Sequence, residues 1–121
     1  MGFAFENLKV YQRALDFSVT VIGVIDEMDT PRKHYKLIEQ LESSCTSVAL
    51  NISEGKGRFS KREFKQFLYI ARGSLYETVT MLQIFKKKNW LRQITYDKLY
   101  SEAQEINKML SGLIRSIKDS K

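Results

Sequence analysis

Apolar side chains recur every three or four residues along most of the chain, the spacing that places them on one side of an α-helix. The pattern predicts four helices, over residues 7–28, 35–54, 61–88 and 96–118. No stretch of useful length alternates apolar and polar residues as a half-buried strand does. Joints of about five or six residues favour antiparallel neighbours. We therefore predict an all-α fold, an antiparallel up-down-up-down four-helix bundle, as a single domain over residues 1–121.

The first predicted helix carries two apolar stripes. One stripe consists of Leu8, Tyr11, Leu15, Ile22 and Ile25, with Ser18 in its gap. The other consists of Val10, Ala14, Phe17, Val21, Val24 and Met28. An offset of two residues corresponds to about 200° of rotation, which predicts stripes on nearly opposite sides. One side would then face the protein's own core and the other a second subunit. The alternative is a central helix wrapped by its own chain.

The other three helices each carry one clear apolar stripe. The second has Ile38, Leu41, Cys45, Val48 and Ile52. The third has Phe64, Phe67, Ala71, Ser74, Thr78, Met81 and Phe85. The fourth has Leu99, Ala103, Ile106, Leu110, Leu113 and Ile117. Because Cys45 belongs to such a stripe, we interpret it as a small buried apolar residue rather than as a catalytic thiol.

Several polar residues mark the predicted helix ends. Thr30–Pro31 suits the start of the second helix, and the run at 55–58 interrupts the helical pattern after it. Ser60 followed by Glu63 matches a capping box at the start of the third helix. Thr95 is the expected cap of the fourth helix.

The second and third predicted helices each carry polar residues on one side as well. If the two faces meet, they form a structural polar network of Ser47, Asn51, Glu54, Ser74 and Glu77. The alternative is a catalytic acid/base pair or a carboxylate site for a metal. Metal-binding bundles use Glu-x-x-His motifs on two helices, which this sequence lacks. Gly73 lies in mid-helix beside Ser74, and we predict that it permits a close helix approach.

Composition narrows the class of protein further. The 121 residues are 43% hydrophobic and 28% charged, which is ordinary for a folded protein. One cysteine cannot form an internal disulfide, and one histidine with one cysteine leaves too few ligands for a zinc site. We expect no metal and no cofactor. No secretion signal and no apolar run of about 20 residues is present, so we expect a cytoplasmic protein.

Positive charge is concentrated in residues 56–92, which hold ten basic residues against two acidic ones in a chain of net charge +6. The candidate nucleic-acid-binding residues are Lys56, Arg58, Lys61, Arg62, Lys65, Arg72, Lys86, Lys87 and Lys88. About 25 helical residues separate the two clusters, so we predict that they do not form one patch on a monomer. Gly55 and Gly57 suggest an anion site beside a helix start. Phe59 can stack on a base or pack on the bundle end. The alternative for the second cluster is a solvated helix end.

Two runs are the most distinctive part of the sequence: Ser47 to Gly55, reading SVALNISEG, and Gly73 to Thr78, reading GSLYET. With these runs the sequence resembles the bacterial four-helix-bundle family of 23S rRNA intervening-sequence proteins, which carry a ribosomal-protein label. The resemblance extends over nearly the whole chain. It implies a left-handed bundle, a homopentamer and no enzymatic activity. A related branch is the accessory protein of diversity-generating retroelements, which binds reverse transcriptase and nucleic acid.

These observations lead to three functional hypotheses. The first is a non-enzymatic homo-oligomer, pentameric by resemblance, that binds RNA or DNA with little sequence specificity and no membrane. The second is a protein-interaction scaffold that docks a nucleic-acid-processing enzyme without touching nucleic acid itself. The third is an enzyme that uses Glu54 and Glu77.

Overall fold

The computed structural model describes residues 2–28 and 34–118. Its elements are a short 3-10 helix at Ala4–Asn7 followed by four α-helices. The α-helices are α1 (Lys9–Glu27), α2 (Tyr35–Lys56), α3 (Lys61–Lys87) and α4 (Gln93–Ser116). No strand occurs within the two described ranges. The predicted all-α fold is therefore confirmed.

Each helix packs against the next along the chain, and α4 packs against α1 to close the bundle. The contact between α2 and α3 is the most extensive. Their paired residues run in opposite order, since Gln40 meets Glu77 while Ser47 meets Ser74. The two helices are therefore antiparallel. Among the described residues, none of the helices combines the length and apolar character that a bilayer crossing requires.

The core is built from all four predicted stripes. The largest fully buried side chains include Phe17, Leu41, Ile52, Phe85, Ile106 and Leu110. On α3 the core also takes in Leu68, Leu75 and Leu82, which lie beside the predicted stripe. On α4 it takes in Ile114, while Ile117 is only partly buried. The wider stripe on α3 fits its position between two neighbours, because α3 packs against both α2 and α4.

The prediction of opposite stripes on α1 is wrong. Tyr11 and Ile22 are half-buried and pack against the core, and Ser18 is buried. Each stripe repeats every three or four residues. A residue of the second stripe, such as Val10, therefore comes two residues after one member of the first stripe but only one residue before the next. The stripes are thus about 100° apart and form one broad face. Leu15 and Val19 lie outside this broad face and are 44% and 65% exposed.

The ends of the helices follow the sequence signals only in part. The capping box is confirmed, since Ser60 Oγ accepts the backbone N–H of Glu63 at 3.1 Å. The expected cap at Thr95 is wrong, because α4 begins earlier and its N-cap is Arg92, without a side-chain hydrogen bond. Helix α2 continues through Gly55 to Lys56, beyond the predicted end. The predicted start at Thr30–Pro31 lies outside the described residues.

The close approach of two helices occurs at Gly55 and not at Gly73. A Cβ on Gly55 would lie 2.5 Å from the Cβ of Phe67, whereas a Cβ on Gly73 would meet nothing within 4 Å. Gly55 is thus a buried residue of α2 and not part of an anion-binding loop beside the start of α3. This corrects the prediction for both glycines.

Candidate nucleic-acid interface

The predicted polar network divides into a bonded part and an exposed part. Ser47 and Ser74 share a hydrogen bond of 2.8 Å between their hydroxyls. The amide of Asn51 donates to the hydroxyl and to the carbonyl of Ser47, both at 2.8 Å. These bonds link α2 to α3 and satisfy polar groups at the edge of the core.

A second, fully buried bond continues the connection between α2 and α3. Thr78 is completely buried, and its hydroxyl lies 2.9 Å from that of Ser44, which itself donates to the carbonyl of Leu41. The hydroxyl of Thr78 also lies 2.8 Å from the carbonyl of Ser74. Buried hydroxyls that are hydrogen-bonded in this way belong to the packing of the bundle.

The two carboxylates of the predicted network do not come together. Glu54 accepts a hydrogen bond of 2.9 Å from Arg58, and Glu77 accepts one of 3.5 Å from Gln40; both contacts are exposed. Since Gln40 and Glu54 are about four turns apart on α2, roughly 20 Å separates the carboxylates. Within the described residues, no group of three His, Cys, Asp or Glu side chains is placed to hold a metal ion.

The thiol of Cys45 is enclosed by the core. The residue is completely buried, and burial raises the pKa of the thiol from 9.0 to about 11. The carbonyl of Cys45 accepts a bond of 2.9 Å from Ser18, which ties α1 to α2. A thiol that stays protonated at neutral pH and is shielded from solvent is a packing group.

Three of the candidate cations lie at the turn between α2 and α3. Arg58 pairs with Glu54, and its guanidinium lies 4.8 Å from the ring centre of Phe67. The Nζ of Lys56 lies 5.5 Å from the ring centre of Phe64, and Lys61 is exposed at the first position of α3. A groove beside the 3-10 helix contains Lys56, Arg58 and also Glu54, so its positive charge is partly offset.

Phe59 lies in the same turn and is fully exposed. It therefore does not pack on the end of the bundle, which was one of its two predicted roles. An exposed phenylalanine beside several cations remains available to an external partner.

The remaining candidates on α3 face α4. Arg72 donates to Ser111 Oγ at 3.0 Å, and its guanidinium lies 5.1 Å from the ring centre of Tyr69. Lys65 reaches the carbonyl of Ile117 at 3.5 Å. These contacts fix one side of α3 against the C-terminal half of α4.

Three depressions lie in a row along this line of contact, which we call the α3–α4 seam. The first is formed by Arg62, Lys65, Gln66 and Tyr69. The middle groove, of about 300 Å3, has walls that include Leu75, Tyr76, Thr80, Tyr100, Gln104 and Asn107. The last is formed by Gln83, Lys86, Lys87 and Tyr96. The seam thus has cationic ends and an uncharged middle rich in tyrosine.

No carboxylate occurs among the described residues that form these three depressions. The two acidic residues of α3 are engaged elsewhere. Glu63 accepts a bond of 3.2 Å from the hydroxyl of Ser60 at the start of the helix, and Glu77 points to α2, where it meets Gln40. The sides of α3 are therefore sorted by charge, and the cationic side is the seam.

The two basic clusters lie as far apart as the prediction of separate patches requires, yet each contributes residues to the same side of α3. Arg62 and Lys87 are about 25 residues apart, close to seven full turns, so they project from the same side of α3. They are roughly 37 Å apart along the helix, and the middle groove connects them. Lys88 lies apart from the seam, with its Nζ 5.9 Å from the ring centre of Trp90.

The tyrosines of the seam are functional candidates that were not predicted from the sequence. Tyr69, Tyr76 and Tyr100 are 48%, 52% and 37% exposed. The rings of Tyr96 and Tyr100 stack with their centres 5.7 Å apart, and the Nζ of Lys86 lies 4.9 Å from the ring centre of Tyr96. The signal was present, because Tyr69 and Tyr76 follow Arg62 at intervals of seven residues, which is one face of a helix.

Comparison with known proteins agrees with this architecture. A crystal structure from Bacteroides thetaiotaomicron, described as a protein with unknown function from the S23 ribosomal protein family, is similar over 88% of this chain and 99% of its own. The two are 25% identical, with a TM-score of 0.79. No curated protein matches the sequence. The family model for the 23S rRNA-intervening sequence protein matches residues 6–112. The chain belongs to the 23S rRNA-intervening sequence protein family.

Proposed function

We propose that this protein binds RNA or DNA by contacts to phosphates along the α3–α4 seam and catalyses no reaction. The observation that supports the proposal is the separation of charge on α3. Arg62, Arg72, Lys86 and Lys87 lie along a seam whose described walls hold no carboxylate. Such a row of cations attracts a polyanion, and salt weakens this attraction.

The proposed binding has little sequence specificity. Sequence is read mainly by side chains that enter a groove of the duplex and meet the edges of the bases. The helix that carries the seam is flanked by α2 and α4, so it presents only one narrow side to a ligand. Contacts along that side reach phosphates and do not distinguish one base from another.

We also propose that the protein is a homo-oligomer, with a pentamer as the form implied by the family resemblance. Exposed apolar side chains occur on separate helices: Leu15 and Val19 on α1, Leu50 on α2, and Ile70 and Ile84 on α3. Two different patches that meet between subunits make a head-to-tail contact, and such a contact forms a ring when the rotation between neighbouring subunits closes. A ring repeats the seam on each subunit, and repetition increases affinity through multivalency.

A fluorescence-anisotropy titration tests the binding. The purified protein is titrated into a labelled structured RNA and a labelled DNA duplex, each at about 50 and 200 mM salt. We expect binding that weakens steeply between the two conditions. Failure to bind either ligand at the lower salt contradicts the proposal and favours a protein scaffold.

Sedimentation equilibrium tests the assembly independently. A pentamer of the 14.1 kDa chain has a mass of about 70 kDa, five times that of one chain. We expect Val19→Glu to lower the mass, because a glutamate at this exposed apolar position would place a charge in the contact between subunits. The exposed Tyr35 provides a control, and Tyr35→Glu is expected to leave the mass unchanged. A wild-type mass of a single chain contradicts the assembly.

A further inference from the structure

We propose that the ligand of the seam is an unpaired nucleic-acid strand, whose bases stack on the tyrosines between the two cationic ends. This inference rests on the proposed function and names the form of nucleic acid that fits it. The middle groove holds no cation among its described residues, so contacts to phosphates do not account for it.

The tyrosines are distributed as a stacking surface requires. Of the six tyrosines in the sequence, Tyr69, Tyr76, Tyr96 and Tyr100 lie in the seam. Tyr69 and Tyr76 are about half exposed although they lie on the helix that contributes most to the core. Aromatic rings exposed beside a cationic groove are what single-strand-binding surfaces use, because every base has a face that can stack.

The middle groove also offers unused hydrogen-bonding capacity. The Oδ1 of Asn107 is buried in the wall and has no hydrogen-bond partner among the described residues. Thr80 and Gln104 add a hydroxyl and an amide to the same walls. A buried acceptor without a partner is uncommon in a folded protein. Because this atom is closed to solvent, the exposed Thr80 and Gln104 are the groups of the groove that can accept a hydrogen bond from an amino group of a base or from a ribose hydroxyl.

An unpaired strand fits these features better than a duplex does. In a duplex the faces of the bases are covered by their neighbours, so the rings of Tyr76 and Tyr100 would meet only sugar and phosphate. An unpaired strand exposes its bases to the tyrosines of the middle groove. Its backbone can meanwhile follow the cations at both ends, which lie roughly 37 Å apart along α3. The seam is therefore matched to an extended strand of several nucleotides.

The test compares two leucine variants on two ligands. Tyr76→Leu removes an aromatic ring from the middle groove, and Tyr35→Leu removes one from the exposed surface of α2. Neither variant changes the charge of the protein at neutral pH. Each is titrated into a labelled unpaired oligonucleotide and into the matching duplex, at several salt concentrations, with circular dichroism to confirm the helical content.

We expect wild-type protein to bind the unpaired strand more tightly than the duplex. Tyr76→Leu should weaken binding of the unpaired strand roughly tenfold without changing its salt dependence, since stacking is lost and phosphate contacts are kept. Tyr35→Leu should bind as wild type does. Equal affinities of Tyr76→Leu and Tyr35→Leu for the unpaired strand overturn the inference, as does a wild-type preference for the duplex. In both of those cases the proposed nucleic-acid binding stands. If wild-type protein binds neither ligand, both proposals fail.

Discussion

Gly55 of α2 packs directly against Phe67 of α3. A Cβ on Gly55 would lie 2.5 Å from the Cβ of Phe67 and 3.2 Å from a ring carbon of Phe64. The first distance is shorter than carbon atoms can approach without movement of the backbone. The position of the turn that follows, and with it the first turn of α3, therefore depends on the absence of a side chain at Gly55.

Alanine at Gly55 and at Gly73 should have opposite effects on stability. Gly55→Ala forces α2 and α3 apart and should lower the free energy of unfolding by about 1–3 kcal/mol. Gly73→Ala adds a methyl group in open space within a helix and should raise it by up to about 1 kcal/mol. Urea unfolding of both variants checks this pair. Stabilisation by Gly55→Ala would contradict the helix contact described above.

Removing the cap of α3 should cost stability, while removing Thr95 should not. Ser60→Ala deletes the acceptor for the backbone N–H of Glu63, and we expect a loss of about 1 kcal/mol in the free energy of unfolding. Thr95→Ala changes a residue inside the first turn of α4, where Arg92 is the N-cap, and should stay within about 0.5 kcal/mol of wild type. Equal losses in the two variants would contradict Arg92 as the N-cap of α4.

The buried thiol of Cys45 should make stability depend on alkaline pH. The thiol ionises near pH 9 in the unfolded chain and near 11 in the folded protein. Above pH 9 the unfolded state loses a proton that the folded state keeps, so stability falls as pH rises from 9 to 11. The contribution is at most about 3 kcal/mol.

Cys45→Ala is the matched comparison, because lysines and tyrosines titrate equally in both proteins. The free energy of unfolding should fall more steeply with pH in wild type than in the variant, as measured by urea unfolding between pH 8 and 10.5. Parallel pH profiles would contradict a raised pKa of the thiol.

The architecture could be predicted because the helical spacing of apolar residues can be recognised in a single sequence. The stripes of α2 and α4 and the capping box at Ser60 depend only on residues that are close in sequence. Gly55 and Gly73 show where such reasoning ends. Both lie within helices, and only the crossing of α2 with α3 decides which one has a neighbour in contact.

The candidate site was predictable in composition but not in arrangement. Basic residues were identified along α3, yet their distance in sequence suggested two separate clusters. Helical phase places Arg62 and Lys87 on the same side, and packing against α4 adds Tyr96 and Tyr100 to that side. The partners that α4 contributes cannot be derived from α3 alone, because they depend on the register between the two helices.

The central claim is that the seam, and not positive charge in general, binds nucleic acid. The most direct measurement compares two variants that each lose four positive charges by substitution with glutamine. The seam variant changes Arg62, Arg72, Lys86 and Lys87. The control variant changes four exposed lysines that do not line the seam, namely Lys9, Lys36, Lys98 and Lys108.

Affinity for an unpaired oligonucleotide is measured for both variants and for wild type as a function of salt. We predict that the seam variant binds roughly a hundredfold more weakly and that its slope of log affinity against log salt is smaller by about 3 per subunit. The control variant should keep a slope near that of wild type. Equal losses of affinity and slope in the two variants would contradict a binding site at the seam.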